Sequence, residues 1–240
     1  MCVNDVEANK VGIDALVDEL NRTHGPETAI GVVADVSKAD QVQSLIDQTV
    51  ERLGPLTVMI ANAGIVEIKA ALDISEESMR RLMDVNFFGV WHCYRLAAKQ
   101  MIAQGAVGGS NLGYRIIGAS SIAGFKPFQM MSSYIASKFA VRGLTQSFAK
   151  ELAAHSITVN SYAPGVIDTA MWAKIDETIG GMTGAAKGET MAQFVQESTA
   201  MQRAGTVEDV SKVVGGFLCS KNSDFVTGQT IVCDGGIVFT

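Results

Sequence analysis

The chain has 240 residues, 48% of them hydrophobic and 18% charged, with a formal net charge of -6. That length and hydrophobicity suffice for one large core, and an acidic balance without any Lys/Arg run argues against nucleic acid or an anionic membrane surface as a partner. A small-molecule partner and a cytoplasmic setting are expected, because the start Met1-Cys2-Val3-Asn4-Asp5 has neither region of a secretory leader and no apolar run reaches the length of a membrane span.

In chain order, a short apolar remnant, Cys2-Val3, leads to Asp5 and a helical pattern over residues 7–23. A strand over 28–34 runs into Asp35-Val36, and a helix over 38–53 follows, with Ser37 as its expected cap. A strand over 56–61 runs into Asn62-Ala63-Gly64, then a long helix spans 75–104, capped by Ser75 with help from Glu77 and Ser78. A glycine-rich stretch over 105–113 reads as irregular, followed by a strand over 114–118, a helix over 133–154 and a strand over 158–163. Residues 168–203 read as a second irregular region of short helical fragments punctuated by Gly180, Gly181, Gly184 and Gly188. Its composition suits a substrate lid or a merely disordered loop, and the lid is the favoured reading. A helix over 207–219 and a strand over Thr230–Cys233 close the chain.

Strand-length runs alternating with helices predict a single α/β domain over residues 1–240, a doubly wound parallel sheet of Rossmann-like kind. Such sheets bind ligands outside the carboxyl ends of their strands, so the residues just after each strand are the candidates for function. Cys2, Cys93, Cys219, Cys233 and the three histidines His24, His92 and His155 are scattered without paired spacing, so no metal site or disulfide framework is expected.

The sharpest local feature is Tyr134-Ile135-Ala136-Ser137-Lys138. On a helix, a four-residue spacing sets the phenol and the ammonium on one face, and a fixed cation favours phenolate, drawing the phenol's pKa down towards the range where proton transfer is efficient. The same spacing also occurs on ordinary solvated helix faces. Ser120-Ser121 follows the strand over 114–118; Ser121 is placed to donate to a substrate oxygen, although serines are also common in turns. Without an acid/His partner nearby in sequence, a hydrogen-bonding role fits Ser121 better than that of a hydrolase nucleophile. The small residues of Asn62-Ala63-Gly64 let a flat ring or a phosphate approach the backbone, as would any tight strand-to-helix turn.

Asp35-Val36, Asn62-Ala63-Gly64, Asn86, Ser121, Tyr134-x-x-x-Lys138, Pro164-Gly165 with Thr169, Thr227-Gly228-Gln229 and Asp234-Gly235-Gly236, taken in that order, resemble the short-chain dehydrogenases/reductases over essentially the whole chain. The resemblance implies that Tyr134 is the acid/base, that Lys138 lowers its pKa and binds the nicotinamide ribose, that Ser121 steadies the reacting oxygen, and that Asn86 bends its helix and holds a water in a proton relay. It places Asp35 and Val36 at the adenine, Asn62, Ala63 and Gly64 along the adenosine side, and Pro164, Gly165, Ile167 and Thr169 at the nicotinamide end. Asp5, at a strand end, would bind ribose hydroxyls and repel a 2'-phosphate, favouring NAD(H) over NADP(H); its other reading is a solvated helix cap.

A narrower similarity, to diacetyl/acetoin reductases (2,3-butanediol dehydrogenases), rests on residues 137–146, on Thr169-Ala170-Met171-Trp172 with Ile175-Asp176, and on the ending Asp234-Gly235-Gly236-Ile237-Val238-Phe239-Thr240. It implies a small hydroxyketone or diketone substrate and a pocket closed by Trp172. Ile122 and Phe128 stand where that group places amides, so a larger or less polar ketone is also open. The family begins with a strand and a TGxxxGxG turn that receives the pyrophosphate, and nothing in the chain matches it. The expectation is therefore an N-terminally incomplete fold lacking its first, central strand and glycine-rich loop. The alternative function is a catalytically inactive partner of full-length subunits, joined through the helices over 75–104 and 133–154. Family habit implies a homo-oligomer, a tetramer or dimer.

Overall fold

Each apolar run read as a strand forms one in the computed structural model, which describes residues 1–105 and 113–240. The elements are β1 (Cys2–Asp5), α1 (Lys10–His24), β2 (Ile30–Val33), α2 (Ala39–Leu53), β3 (Val58–Ala61), α3 (Glu76–Met83), α4 (Gly89–Ala103), β4 (Tyr114–Ala119), α5 (Ser132–Leu152), β5 (Ile157–Pro164), α6 (Ala170–Thr183), α7 (Glu189–Ser198), α8 (Val207–Ser211) and β6 (Thr230–Cys233). Residues 106–112, most of the glycine-rich stretch expected to be irregular, lie outside the described residues. Among the described residues no helix is long and apolar enough to cross a membrane.

All strand pairing is parallel, as helical crossovers require, and it falls into two sheets, β1-β2 and β3-β4-β5-β6. The larger is held in register by Val58 opposite Arg115, Tyr114 opposite Ile157 and Ser161 opposite Thr230. All six residues of β4 are buried, the mark of a strand covered on both faces. Its helical cover supplies Tyr94, Met101 and Val141 to the same core as Ile116 and Val159. Gly118 admits that cover: a Cβ there would collide with the Tyr94 hydroxyl. The architecture is Rossmann-like, but the expected single sheet is split. Among the described residues no strand lies between β1 and β3, and both border one cleft.

Four local expectations are corrected. The long helix over 75–104 is interrupted by a π-helical turn at Asp84–Phe88, where Asn86 is fully buried and engaged away from its own helix. The helix over 207–219 likewise passes from α8 into a π-helical turn at Lys212–Leu218. Ser37 does not cap α2; the capping position is Lys38, without a side-chain bond, while the Ser37 N–H donates to Asp35 Oδ1 at 2.9 Å. Ser75 does cap α3, accepting from Ser78 N at 3.1 Å. Residues 168–203 hold two regular helices, α6 of 14 residues and α7 of 10, instead of fragments. Gly184 and Gly188, both at positive φ, break the chain between them, whereas Gly180 sits inside α6 because a Cβ there would stand 2.9 Å from the Ala185 carbonyl oxygen.

Candidate functional site

The carboxyl ends of β1 to β5 open onto one cleft of about 1980 Å³. Every residue to which the sequence assigned a catalytic, cofactor or substrate role lines it except Asn86, which is buried behind it. Ser121 leaves β4 in an extended conformation and its Oγ accepts from Ala123 N at 3.1 Å, which leaves the hydroxyl proton free to donate. Tyr134 and Lys138 lie one turn apart on α5, with Lys138 Nζ 5.4 Å from the phenol ring centroid. That nitrogen donates to Ala119 O at 2.8 Å, so strand and helix jointly aim it. Ser120 ties the same turn from the other side, donating through Oγ to Lys138 O at 3.1 Å.

Asn86 explains its helix's π-turn. Its Oδ1 accepts from Ile65 N at 2.8 Å, and its Nδ2 donates to Ile65 O at 2.9 Å and to Ser137 Oγ at 3.2 Å. The amide therefore locks the turn after β3 onto α5. At that turn, a Cβ on Gly64 would stand 3.4 Å from Asn86 Oδ1 and 3.5 Å from Lys138 Nζ. Asn62 is exposed, and its Oδ1 accepts from Tyr162 OH across the sheet. Sequence reading missed that partnership because Tyr162 lies mid-strand in an otherwise apolar run.

Burial dominates the electrostatics. The Tyr134 phenol is pushed up from its ordinary value by burial, with Ser121 pulling it back. The lowering expected from Lys138 is not what governs it here, since burial penalises the lone ammonium too and holds Lys138 down to about 8. Such opposed shifts on adjacent buried groups in a cleft mark a candidate for proton transfer.

The remaining candidates divide between the cleft's two ends. Asp5 is the last residue of a properly paired β1, not the follower of a remnant. Its Oδ1 accepts from Val6 N and its Oδ2 from Asn9 Nδ2, both at 2.7 Å, so the turn-holding reading is realised while the carboxylate stays exposed at the cleft. Asp35 is turned into its own loop through Ser37 N, and Val36 packs against Gly89. Opposite, Gly165 admits Asp234, to whose Cβ a Gly165 Cβ would stand 2.7 Å, and Ile167 bridges to Gly205. Thr169 opens α6, which carries Trp172 into the cleft. One residue that sequence reading missed stands there as well, Phe194 of α7; behind it Asp176 of α6, outside the cleft, accepts from Gly188 N at 2.6 Å and Met191 N at 3.0 Å. No signal in the sequence marked Phe194.

A family profile described as short chain dehydrogenase matches residues 2–180. The chain is 39% identical over 213 residues to the L-2,3-butanediol dehydrogenase of Corynebacterium glutamicum, which spans 89% of this chain and 80% of that protein. It is 38% identical over 212 residues to the (S)-acetoin-forming diacetyl reductase of Staphylococcus epidermidis, spanning 88% of this chain and 79% of the relative. Among solved structures it is similar to a gluconate 5-dehydrogenase from Burkholderia cenocepacia in complex with NADP and tartrate, at 28% identity and a TM-score of 0.81 over 98% of this chain and 84% of the other. With its parallel α/β fold, the profile match and these identities, the chain belongs to the short-chain dehydrogenase family, oxidoreductases that act on CH–OH groups and use nicotinamide cofactors.

Proposed function

We propose that the cleft exchanges a hydride between a nicotinamide dinucleotide, NAD(H) in preference to NADP(H), and a secondary alcohol or its ketone. The observation that carries this reading is the convergence of Ser121, Tyr134 and Lys138 at the end of β4 in one cleft. The residues suit the two ends of such a cofactor. An ammonium has three donors and Ala119 O takes one of Lys138's, leaving donors for ribose hydroxyls; Gly64, without a side chain, keeps that nitrogen open to approach. Asp5 offers an exposed carboxylate at the adenosine end. Between them the fit is incomplete, since among the described residues no glycine-rich turn opens a helix onto the cleft.

The cofactor supplies the hydride; this chain's residues place and protonate the oxygen. Ser121 donates to the carbonyl oxygen and fixes its position. Tyr134, kept protonated by burial, passes its proton to that oxygen as negative charge develops. Lys138 steadies the resulting phenolate, and Asn86, beside the Gly64 turn that Lys138 also reaches, would hold a water that extends the proton path. Diacetyl and acetoin are the reference substrates, on the activities for which the Corynebacterium and Staphylococcus relatives are named. The test is nicotinamide absorbance with NADH or NADPH and either compound. Turnover lowered by about 10²-fold or more in both Tyr134→Phe and Ser121→Ala is expected, and turnover within about tenfold of the parent in both overturns the assignment.

The split sheet favours a second reading, a chain that binds full-length relatives without turning over substrate, because β1 and β3 face each other unpaired. Saturable NADH binding by the chain alone decides against it. Phe88 and Phe139, exposed on the helical faces around α4 and α5, support homo-oligomerisation as a tetramer or dimer, which sedimentation velocity checks. Four free cysteines support a reducing compartment, the cytoplasm.

A further inference from the structure

Phe128 from the loop before α5, Trp172 from α6 and Phe194 from α7 converge on the substrate side of the cleft. Phe194 is the bridge: its ring centroid lies 6.0 Å from that of Phe128 and 5.7 Å from that of Trp172, both pairs tilted. All three rings are half-buried and border the same cleft as Ser121 and Tyr134, so each keeps a face for a ligand. Around them Ile122, Met131 and Met171 add only hydrocarbon and thioether surface, and the nearest amide in sequence, Gln129, is exposed at the rim. The wall is held in place from behind, because Asp176 of α6 binds the backbone N–H groups that open α7.

Such a surface discriminates by desolvation. A second hydroxyl or carbonyl beside the reacting carbon loses its water there and finds, among the described residues of this wall, no buried polar side chain to replace it. A ring or branched alkyl group gains from the same burial, with tilted aromatic contacts added. We propose that Phe128, Trp172 and Phe194 form a substrate wall that selects ketones and secondary alcohols carrying a ring or bulky alkyl substituent over vicinal hydroxyketones and diketones. This rests on the hydride-transfer reading for its chemistry, but the wall's preference is measurable without turnover.

Trp172 is one of two tryptophans, and the other, Trp91, lies on α4 outside the cleft against Arg95. In the full chain carrying Trp91→Phe, the emission of Trp172 is followed while 4-phenyl-2-butanone, 2-butanone or 3-hydroxy-2-butanone is added without cofactor. Half-saturation by the phenyl ketone at least about tenfold below either small ketone is expected, and Phe194→Ala closes that gap. Phe194→Leu, which keeps an apolar core contact but loses both ring pairs, narrows it and serves should the alanine variant unfold. Equal half-saturation, a preference for the hydroxyketone, or a gap untouched in the folded Phe194 variant overturns the proposal. The same ketones are then compared by kcat/KM with NADH. A binding preference with no turnover of any carbonyl refutes hydride transfer and leaves the wall standing; turnover that favours 3-hydroxy-2-butanone over its phenyl counterpart refutes the wall and leaves hydride transfer standing.

Discussion

The four-stranded and two-stranded sheets are assembled from the same strand–helix units, yet they hold their residues differently. β4 is buried along its whole length, whereas no residue of β1 is fully buried. α5 buries eight side chains, among them Ser133, Tyr134, Ser137 and Lys138, while the fifteen-residue α1 buries only Ile13. The groups proposed to move a proton thus stand on the half whose rotamers are fixed by packing on all sides. Those proposed to hold adenosine, Asp5 and Asp35, stand on the half with a sheet edge along the cleft. Chemistry demands positions held to fractions of an ångström; holding a ribose tolerates more play.

The comparison is sharpened most by Tyr134→Phe. Removing the phenol's proton from the rigid half is expected to lower kcat/KM by roughly 10² to 10⁴, without lowering the thermal midpoint, since Ser121 Oγ keeps its bond from Ala123 N. Activity within tenfold of the parent protein would remove Tyr134 from the mechanism.

Lys138 tests how dry that half is. Burial holds its pKa to about 8, against 10.5 in the unfolded chain. Below about pH 8 both states carry the proton and the folded protein bears the full cost of the buried charge. Between pH 8 and 10.5 the folded protein has released the proton and the unfolded chain has not, so this group's effect on stability becomes more favourable as pH rises, by about 3 kcal/mol across the window. Buried phenols and thiols act oppositely in the alkaline range, Cys93 being pushed up to about 12. The informative quantity is therefore a difference: the stability advantage of Lys138→Met over the parent, measured by urea unfolding, shrinks by about 3 kcal/mol from pH 8 to 10.5. An advantage that stays flat across the window would mean that water reaches the ammonium.

One substitution made in both halves compares their packing directly. Gly118→Ala drives a Cβ into the hydroxyl of Tyr94, a fully buried ring whose oxygen pairs with Thr145 Oγ1 at 2.9 Å. Gly31→Ala brings a Cβ to 2.5 Å from the Ile13 Cγ2 methyl, on a helix that buries nothing else. Costs of about 3 kcal/mol and about 1 kcal/mol are expected, read as shifts in the urea midpoint. Similar costs would show that the two-stranded sheet is packed as tightly as the other.

That contrast also separates what the sequence reveals from what it hides. Hydrophobic periodicity places residues on strands, so β2 to β6 and the functional positions at their ends could be read directly. Periodicity does not report which edges pair, and the division between β1-β2 and β3-β6 agrees with the expectation, drawn from the resemblance, of a fold without its central strand. The bend at Asn86 came from the family resemblance and not from periodicity, because its cause, the Ile65 backbone, lies 21 residues away. α6 was mistaken for irregular chain because Gly180 and Gly181 weaken helix propensity, while the close approach of Ala185 that Gly180 permits leaves no local trace. Phe194 was invisible for the same reason, its role depending on how α7 leans against Trp172 and Phe128. The direction of Tyr134's shift was misjudged because spacing announces the neighbouring charge but not the burial that outweighs it.

The smallest effect is expected at the edge of the two-stranded half. Asp5→Asn keeps an oxygen able to accept from Val6 N but loses the acceptor for Asn9 Nδ2, and the pairing of β1 with β2 runs through backbone, so the fold should survive with a looser turn. What the cofactor senses is the loss of one negative charge at an exposed site, where a single charge–charge interaction is worth about 1 kcal/mol. The ratio of kcat/KM with NADH to that with NADPH should therefore fall about fivefold to tenfold, with the KM for the ketone unchanged and the gap between cofactors narrowing further at high salt. A ratio that does not move would assign the carboxylate to the Val6 and Asn9 turn alone, and cofactor choice would then have to be sought at Asp35, whose Oδ1 accepts from Ser37 N.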